Sequence, residues 1–328
     1  MIDVAFDVTP LRQTRAGTAR YIHGLLRAFR ARDDVRISEL AFGGASRLWN
    51  LPRDAVWYPL VSGRDAKSSD VLHCPTYRGP VVTRVPLVVT VHDLAVFRHP
   101  EAFNTWSRLY GPHVIPRVIR AARRVIAVSE FTKRELVDLL RVPEEKIRVI
   151  PNAVEDVFTR DGPKADGDYV LAVGTVEPRK NLVRIADAVR RTGMELRIVG
   201  ARGWGDVRWN GNAVRWLGQV DDAELARQYR GAQCVAYASL YEGFGIPVLE
   251  AMACGAPVVT SGMTATAEIA EDAAVLVDPH DADAIAEGIR LAISQRDELV
   301  PRGLERARAF NWRDVGDATA GVYREAAA

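Results

Sequence analysis

The sequence predicts an α/β protein built from two doubly wound domains, and three observations carry that reading. Short apolar runs that read as buried strands alternate with amphipathic helical stretches along the chain, the rhythm of parallel β-α-β units. At 328 residues the chain has room for two domains of about 150 residues each. The stretch Asp161-Gly162-Pro163-Lys164-Ala165-Asp166-Gly167-Asp168 breaks the rhythm near the middle with the polar, turn-forming chemistry of a linker.

Residues 2–8 read as the first strand. Ile22, Leu25, Leu26 and Phe29 then fall at i, i+3, i+4 and i+7, one face of a helix. His23, Arg27 and Arg30 lie off that stripe, so the helix is amphipathic and basic; its default role is to cover the sheet, with membrane-surface contact a lesser alternative. Strand-like runs follow at 37–42, 71–74 and 87–91, the last ending in His92-Asp93 at a carboxyl edge, where ligands of such sheets lie. Arg117, Arg120 and Arg124 are read onto one helix face at i, i+3 and i+7. Residues 125–128 form a strand, Ser129 or Thr132 caps a helix reaching about Leu140, and 147–150 closes the first domain. Beyond the linker, 169–173, 196–199, 214–216, 235–237, 257–260 and 274–277 read as strands. Residues 182–189, 225–229 and 282–293 read as helices. The expected division is 1–160, 161–312 and a terminal helix over 313–328.

Composition narrows the class. Apolar residues at 48% and charged residues at 26% suit a globular protein, and no run of about 18 apolar residues offers a spanning helix. The three cysteines, Cys74, Cys234 and Cys254, show no zinc spacing and are odd in number, against a disulfide framework. The opening Ile2-Asp3-Val4-Ala5-Phe6 reads as a strand and not as a leader, so a cytoplasmic protein is expected. Neither a repeat nor a low-complexity segment is visible. The net charge of +2 hides an asymmetry: residues 1–160 hold 25 Lys and Arg against 17 Asp and Glu, leaving 19 against 25 for the rest. A basic first half suits an anionic surface partner, such as the inner face of a membrane touched peripherally; a solvated arginine-rich face explains it equally well. No nucleic-acid partner is expected.

The densest signal is Tyr241-Glu242-Gly243-Phe244-Gly245-Ile246-Pro247-Val248-Leu249-Glu250. It follows a buried strand, Pro247 opens a helix where a missing N–H costs nothing, and Gly255 ends it. The loop before the helix therefore sits at a carboxyl edge and points into a helix N-terminus, where unpaired N–H groups suit phosphate. Upstream, Gly174-Thr175-Val176-Glu177-Pro178-Arg179-Lys180-Asn181 places two cations at another such entrance, a site suited to a diphosphate.

Glu242 and Glu250 with seven residues between them, preceded by this basic motif, resemble the E-x7-E pattern of retaining glycosyltransferase family 4. The resemblance covers nearly the whole chain and is densest over 169–280. It implies a GT-B fold, two Rossmann-like domains facing across a cleft, with the terminal helix crossing back to the first. It also implies transfer of a hexose from a nucleotide-sugar donor to a glycan or lipid-linked acceptor in bacterial polysaccharide biosynthesis, with mannose from GDP-mannose as the first expectation. On this resemblance Arg179 and Lys180 hold the diphosphate, Glu242 lies near the transferred sugar and Glu250 binds the ribose. Gly243 and Gly245 let the backbone approach the donor closely; the amides of Phe244, Gly245 and Ile246 face the sugar, that of Val248 the distal phosphate, and Gly218 and Val220 border the base. Gly174 and Thr175 belong to the donor-binding loop, Gly17 gives the acceptor or diphosphate room, and His92 contacts the sugar from the first domain. Thr175 departs from members that carry an additional Arg there, which leaves leaving-group stabilisation to Arg179 and Lys180.

Other readings are weaker. The motif lacks the third glycine of a dinucleotide fingerprint. A metal-dependent GT-A enzyme needs an Asp-x-Asp ligand, but Asp166-Gly167-Asp168 falls in the linker and Asp281-Ala282-Asp283 where a helix cap belongs, so neither metal nor cofactor is expected. A nucleotide-sugar epimerase of the same fold, or a non-catalytic donor-binding subunit, is the alternative function. The loop Gly200-Ala201-Arg202-Gly203-Trp204 is either a nucleotide border or an ordinary turn.

Overall fold

The computed structural model describes residues 1–12, 17–44, 46–103, 105–203 and 213–328. Trp204 lies outside the described residues. The chain divides into two compact units: Met1–Ala153 with Asn311–Ala328, and Val154–Phe310. Each is organised on a six-stranded sheet whose described pairs are all parallel.

In the first unit the strands are β1 Ile2–Asp7, β2 Val35–Leu40, β3 Val71–Cys74, β4 Leu87–Val91, β5 Arg124–Ala127 and β6 Ile147–Val149, in the order β2-β1-β3-β4-β5-β6. Every residue of β3 and β4 is buried, as expected for central parallel strands covered on both faces. The helix Gly17–Arg30 sinks Tyr21, Ile22, Leu25 and Phe29 into one core with Val4 and Phe6 of β1. The helix Trp312–Ala327 brings Tyr323 and Ala326 to the same core. Asn311 caps it by accepting from the Asp314 amide at 3.0 Å. Trp312 packs over Gly24 so closely that a Cβ there would meet the indole at 2.1 Å.

Some sequence expectations change. Gly17 begins the first helix rather than ending a loop. Arg124 is not on the helix with Arg117 and Arg120, which stops at Ala121; it opens β5 and pairs with Glu325 at 2.9 Å. The second strand starts at Val35, not residue 37. Of the two cap candidates it is Ser129 that accepts from Thr132 N, at 3.0 Å. Residues 50–65 form a helical run the sequence reading left unassigned.

In the second unit β7 Tyr169–Val173, β8 Glu195–Val199, β9 Val214–Gly218, β10 Cys234–Tyr237, β11 Val258–Ser261 and β12 Val275–Val277 stand in the order β12-β11-β10-β7-β8-β9. From β7 the chain winds outward through β8 and β9, then returns to lay β10 on the other side of β7. The winding direction thus reverses between β7 and β10, and a crevice at their carboxyl ends is the ligand position of an open α/β sheet. Asp281 caps the helix Ala282–Ser294 through the Asp283 and Ala284 amides, confirming its structural role.

Candidate active site

Both motifs leave the sheet at that reversal. After β7 the chain passes Gly174 and forms the short turn Pro178–Lys180; Asn181, left-handed at φ 59°, then caps the helix Leu182–Arg190. Its amide group donates to Ala238 O at 2.9 Å and Pro279 O at 2.7 Å, tying this loop to those after β10 and β12. Leu240 N donates to Arg179 O at 2.9 Å, a second tie.

The cations and carboxylates then meet. Lys180 Nζ donates to Glu242 Oε1 and to the Tyr237 hydroxyl, both at 2.7 Å. At 5.0 Å from the Tyr237 ring centre the ammonium lies out past that hydroxyl, so the contact is a hydrogen bond and not a cation on the ring face. Arg179 donates to Tyr241 O at 2.9 Å, to Glu242 Oε2 at 3.4 Å and to Glu177 Oε1 at 2.9 Å. Glu177 and Glu242 are both buried. Burial pushes the Glu242 pKa up, but the attraction of Lys180 and then Arg179 outweighs it and holds the carboxyl below its ordinary range. Two cations and two carboxylates thus form a formally neutral cluster, which an incoming diphosphate would tip by drawing Lys180 and Arg179 to itself.

Glu250 sits one full turn and more into the helix Ile246–Ala253, almost wholly buried, and accepts from the Tyr229 hydroxyl at 2.9 Å. Tyr237 reports on both glutamates: burial first, then the charge of Glu242 and, less, of Glu250 raise its pKa well above the usual phenol.

Gly245 caps the helix at φ 111°, and a Cβ there would meet Thr266 at 2.7 Å, so the position demands glycine on both counts. Among the described residues the amides of Phe244, Gly245 and Ile246 meet no acceptor, as the first amides of a helix do. The Val248 amide differs: it closes on Gly245 O at 3.0 Å, so in this structure it is already engaged. Gly243 is buried in the same loop, and Thr175 is half-buried beyond Gly174. Gly174 and Gly200 pass so closely that a Cβ on Gly200 would lie 1.9 Å from Gly174 O, and Gly200 N donates to Gly218 O at 2.9 Å. The loops after β7, β8 and β9 are thereby laced together. Val220 lies apart from the charged cluster, lining a cavity of about 380 Å³ with Arg197, Arg215 and Gln228.

In the first unit His92 follows β4. Its Nε2 lies 2.9 Å from Pro75 O, and a carbonyl only accepts, so Nε2 carries the proton and Nδ1 the lone pair. Burial lowers its pKa, against the opposing pull of Pro75 O and Asp93, so the ring is neutral at neutral pH. Asp93 is spent locally, accepting from Ala95 N at 3.1 Å. Gly17 shares the helix of Tyr21, whose ring stands edge-on to His92 at 4.9 Å.

Sequence reasoning missed Glu177, Tyr229 and Tyr237, the residues that orient Arg179, Glu250 and Lys180. The last residue of an apolar strand being a tyrosine was the available signal, since a buried hydroxyl needs a partner.

Residues 155–309 match the family model for glycosyl transferases group 1, and residues 15–158 that for glycosyltransferase family 4. The chain is 31% identical to the O-antigen chain mannosyltransferase B of Escherichia coli, over 97% of its own length and 87% of that protein's. The chain belongs to this glycosyltransferase family. It is also 30% identical to the D-inositol 3-phosphate glycosyltransferase of Acidothermus cellulolyticus, over 90% of this chain and 74% of that one. Its fold matches that of Anabaena Alr3699/HepE, crystallised with UDP and glucose, at a TM-score of 0.77 and 19% identity, covering 98% and 99% of the two chains. It also matches WaaG, a glycosyltransferase of lipopolysaccharide biosynthesis, at 0.73 and 15%, with 98% and 99% covered. The fold is GT-B.

Proposed function

We propose that this glycosyltransferase is a retaining hexosyltransferase that moves mannose from GDP-mannose to a glycan or lipid-linked acceptor without a metal ion. The observation that carries the reading is the 2.7 Å contact of Lys180 with Glu242, which joins the two motifs at the point where the sheet reverses. The donor's diphosphate would take Lys180 and Arg179, its ribose Glu250, and its sugar Glu242 and the amides of Phe244 to Ile246. Mannose is supported by the likeness to O-antigen chain mannosyltransferases, both the one above and RfbU of Salmonella typhimurium at 29% identity over 59% of this chain.

The chemistry follows from the charges. Glu242 is ionised but held by two cations, which makes it a poor nucleophile and a poor base. The bond from the anomeric carbon to the diphosphate breaks as Lys180 and Arg179 stabilise the departing oxygen. The acceptor's hydroxyl oxygen bonds to the anomeric carbon from the face the diphosphate leaves, and the departing oxygen takes that hydroxyl's proton, so the configuration is kept. The His92 lone pair at Nδ1 can accept from a hydroxyl group. The two cations supply the positive field for the diphosphate, so EDTA should leave turnover unchanged; loss restored by Mn²⁺ would refute that part.

Incubation with a panel of nucleotide sugars, reading nucleoside diphosphate release with and without acceptor, identifies the donor and separates transfer from epimerisation. The anomeric NMR signal of the product decides the stereochemistry. An α-donor should yield an α-linkage with no trapped glycosyl-enzyme, and a β-linked product would overturn the mechanism.

A further inference from the structure

The helical run at residues 50–65 buries charge beside two aromatic side chains, Trp57 and Tyr58, and leaves its aliphatic side chains outside. Its inward side carries charge: Arg53 and Asp54 are buried as an ion pair at 2.7 Å. Asp54 also accepts from Arg78 at 2.9 Å and from Trp106 Nε1 at 3.0 Å. Tyr58 donates to Asp7, at the carboxyl end of β1, at 2.9 Å. The outward side is apolar, with Leu51 58%, Val56 49% and Leu60 59% exposed. The middle of the run, Arg53–Val61, is wound as a π-helix, so residues four and five apart share a face and these three line up. A helix at a water-facing surface shows the opposite pattern.

Two further exposed apolar side chains stand near the run. Val82, 81% exposed, is beside Gly63, and Leu109, 64% exposed, lies one turn on from Trp106, which is bound to Asp54. Arg64, Lys67, Arg84 and Arg108 are exposed at its margins, against the exposed acid Asp65 within the run. Residues 1–153 and 311–328 together hold 26 Lys and Arg and 18 Asp and Glu. An exposed apolar patch rimmed by cations marks a docking surface, and an anionic lipid surface complements both parts of it. A second copy seated on the same face would instead bring like cations together.

We propose that this face lies on an anionic bilayer, with Leu51, Val56 and Leu60 in the acyl boundary and the flanking cations on the headgroups. Among the described residues no helix is long and apolar enough to cross, so the contact is superficial. The helix Gly17–Arg30 cannot serve instead, because its apolar stripe is used up in the core. The proposal is independent of the donor and of the stereochemistry.

The full chain should sediment with vesicles containing phosphatidylglycerol and far less with pure phosphatidylcholine, with binding that weakens as salt rises. The triple variant Leu51→Ser/Val56→Ser/Leu60→Ser should lose about ten-fold or more of that partition, since the replaced side chains supply the inserted area. Its nucleoside diphosphate affinity should stay at the wild-type value, which reports an intact fold. As a second reading, brominated lipids should quench wild-type fluorescence more than that of Trp49→Phe, because Trp49 is partly exposed just before the run. Failure to bind either vesicle, or equal binding by the triple variant, would overturn the proposal. So would a wild-type dimer in size-exclusion chromatography that the triple variant dissolves, which would give the face to a second copy.

Discussion

The carboxyl edges of the two sheets handle polar groups in opposite ways. In the second unit the edge holds full charges, and each is paired: Lys180 and Arg179 with Glu242, and Arg179 with Glu177. In the first unit two groups at that edge are uncharged or poised near neutrality: His92 is a neutral imidazole and Asp7 has a pKa of about 6. A diphosphate requires fixed cations, whereas a neutral hydroxyl acceptor requires lone pairs without a net field. The difference teaches that the cations of the second unit are stored as ion pairs until an anion competes for them.

The largest effect should come from breaking that store. Lys180→Ala should lower turnover by ~10²-fold or more, because the developing charge on the leaving diphosphate would lose one of its two cations. It also leaves Glu242 with one cation, so the loss should exceed that of Glu177→Gln, which only unpins Arg179. Steady-state kinetics of the two variants checks the ranking; near-normal turnover in Lys180→Ala would end the assignment.

A smaller, more discriminating effect separates the glutamates. Glu250→Gln should weaken donor and free nucleoside diphosphate alike, by about ten-fold, the value of one charge-assisted hydrogen bond. Glu242→Gln should weaken the sugar donor yet leave nucleoside diphosphate affinity unchanged or higher, because Lys180 no longer has a competing carboxylate. Calorimetry with both ligands tests this, and equal losses in all four combinations would contradict it.

The legible part of the molecule is the part written locally. The spacing of Glu242 and Glu250, the glycines before Pro247, and the cations after Gly174 are all short-range, so the site's position at strand ends could be read from sequence. What fixes those side chains could not: Tyr237 is 57 residues from Lys180 and Tyr229 is 21 from Glu250, and each looks like core. Arg124 was misplaced because its i+7 spacing from Arg117 extends a helical pattern past the actual end at Ala121. The run at 50–65 escaped for a physical reason as well. Pro52 and Pro59 read as breakers, and the π-helical winding of Arg53–Val61 does not follow the 3.6-residue period of an α-helix.

The smallest effect in the wild type arises where two opposed titrations meet in the first unit. His73 of β3 is fully buried between the Tyr323 hydroxyl at 2.7 Å and the Thr90 hydroxyl at 2.9 Å. Burial, and then the neighbouring His92, lower its pKa from 6.5 to about 3. Between those values the unfolded chain binds the proton more readily, so His73 makes stability fall as pH is lowered through that window. Asp7 runs the other way. Burial raises its pKa from 3.8 to about 6 against the hydrogen bonds of Thr9 and Tyr58 and the pull of Arg53. Between about 6 and 3.8 the folded chain holds that proton, so Asp7 makes stability rise as pH is lowered. Each contributes a slope of up to about 1.4 kcal/mol per pH unit, and over the overlap the two largely cancel. Urea unfolding at pH 4.5 and 6 should therefore show little contribution from this pair in the wild type. His73→Gln should expose the Asp7 slope and gain stability relative to wild type at the lower pH. Asp7→Asn should expose the His73 slope and lose it. Two variants with the same pH dependence as wild type would show that these groups titrate alike in the folded and unfolded chain, and the buried polar edge would then be solvated.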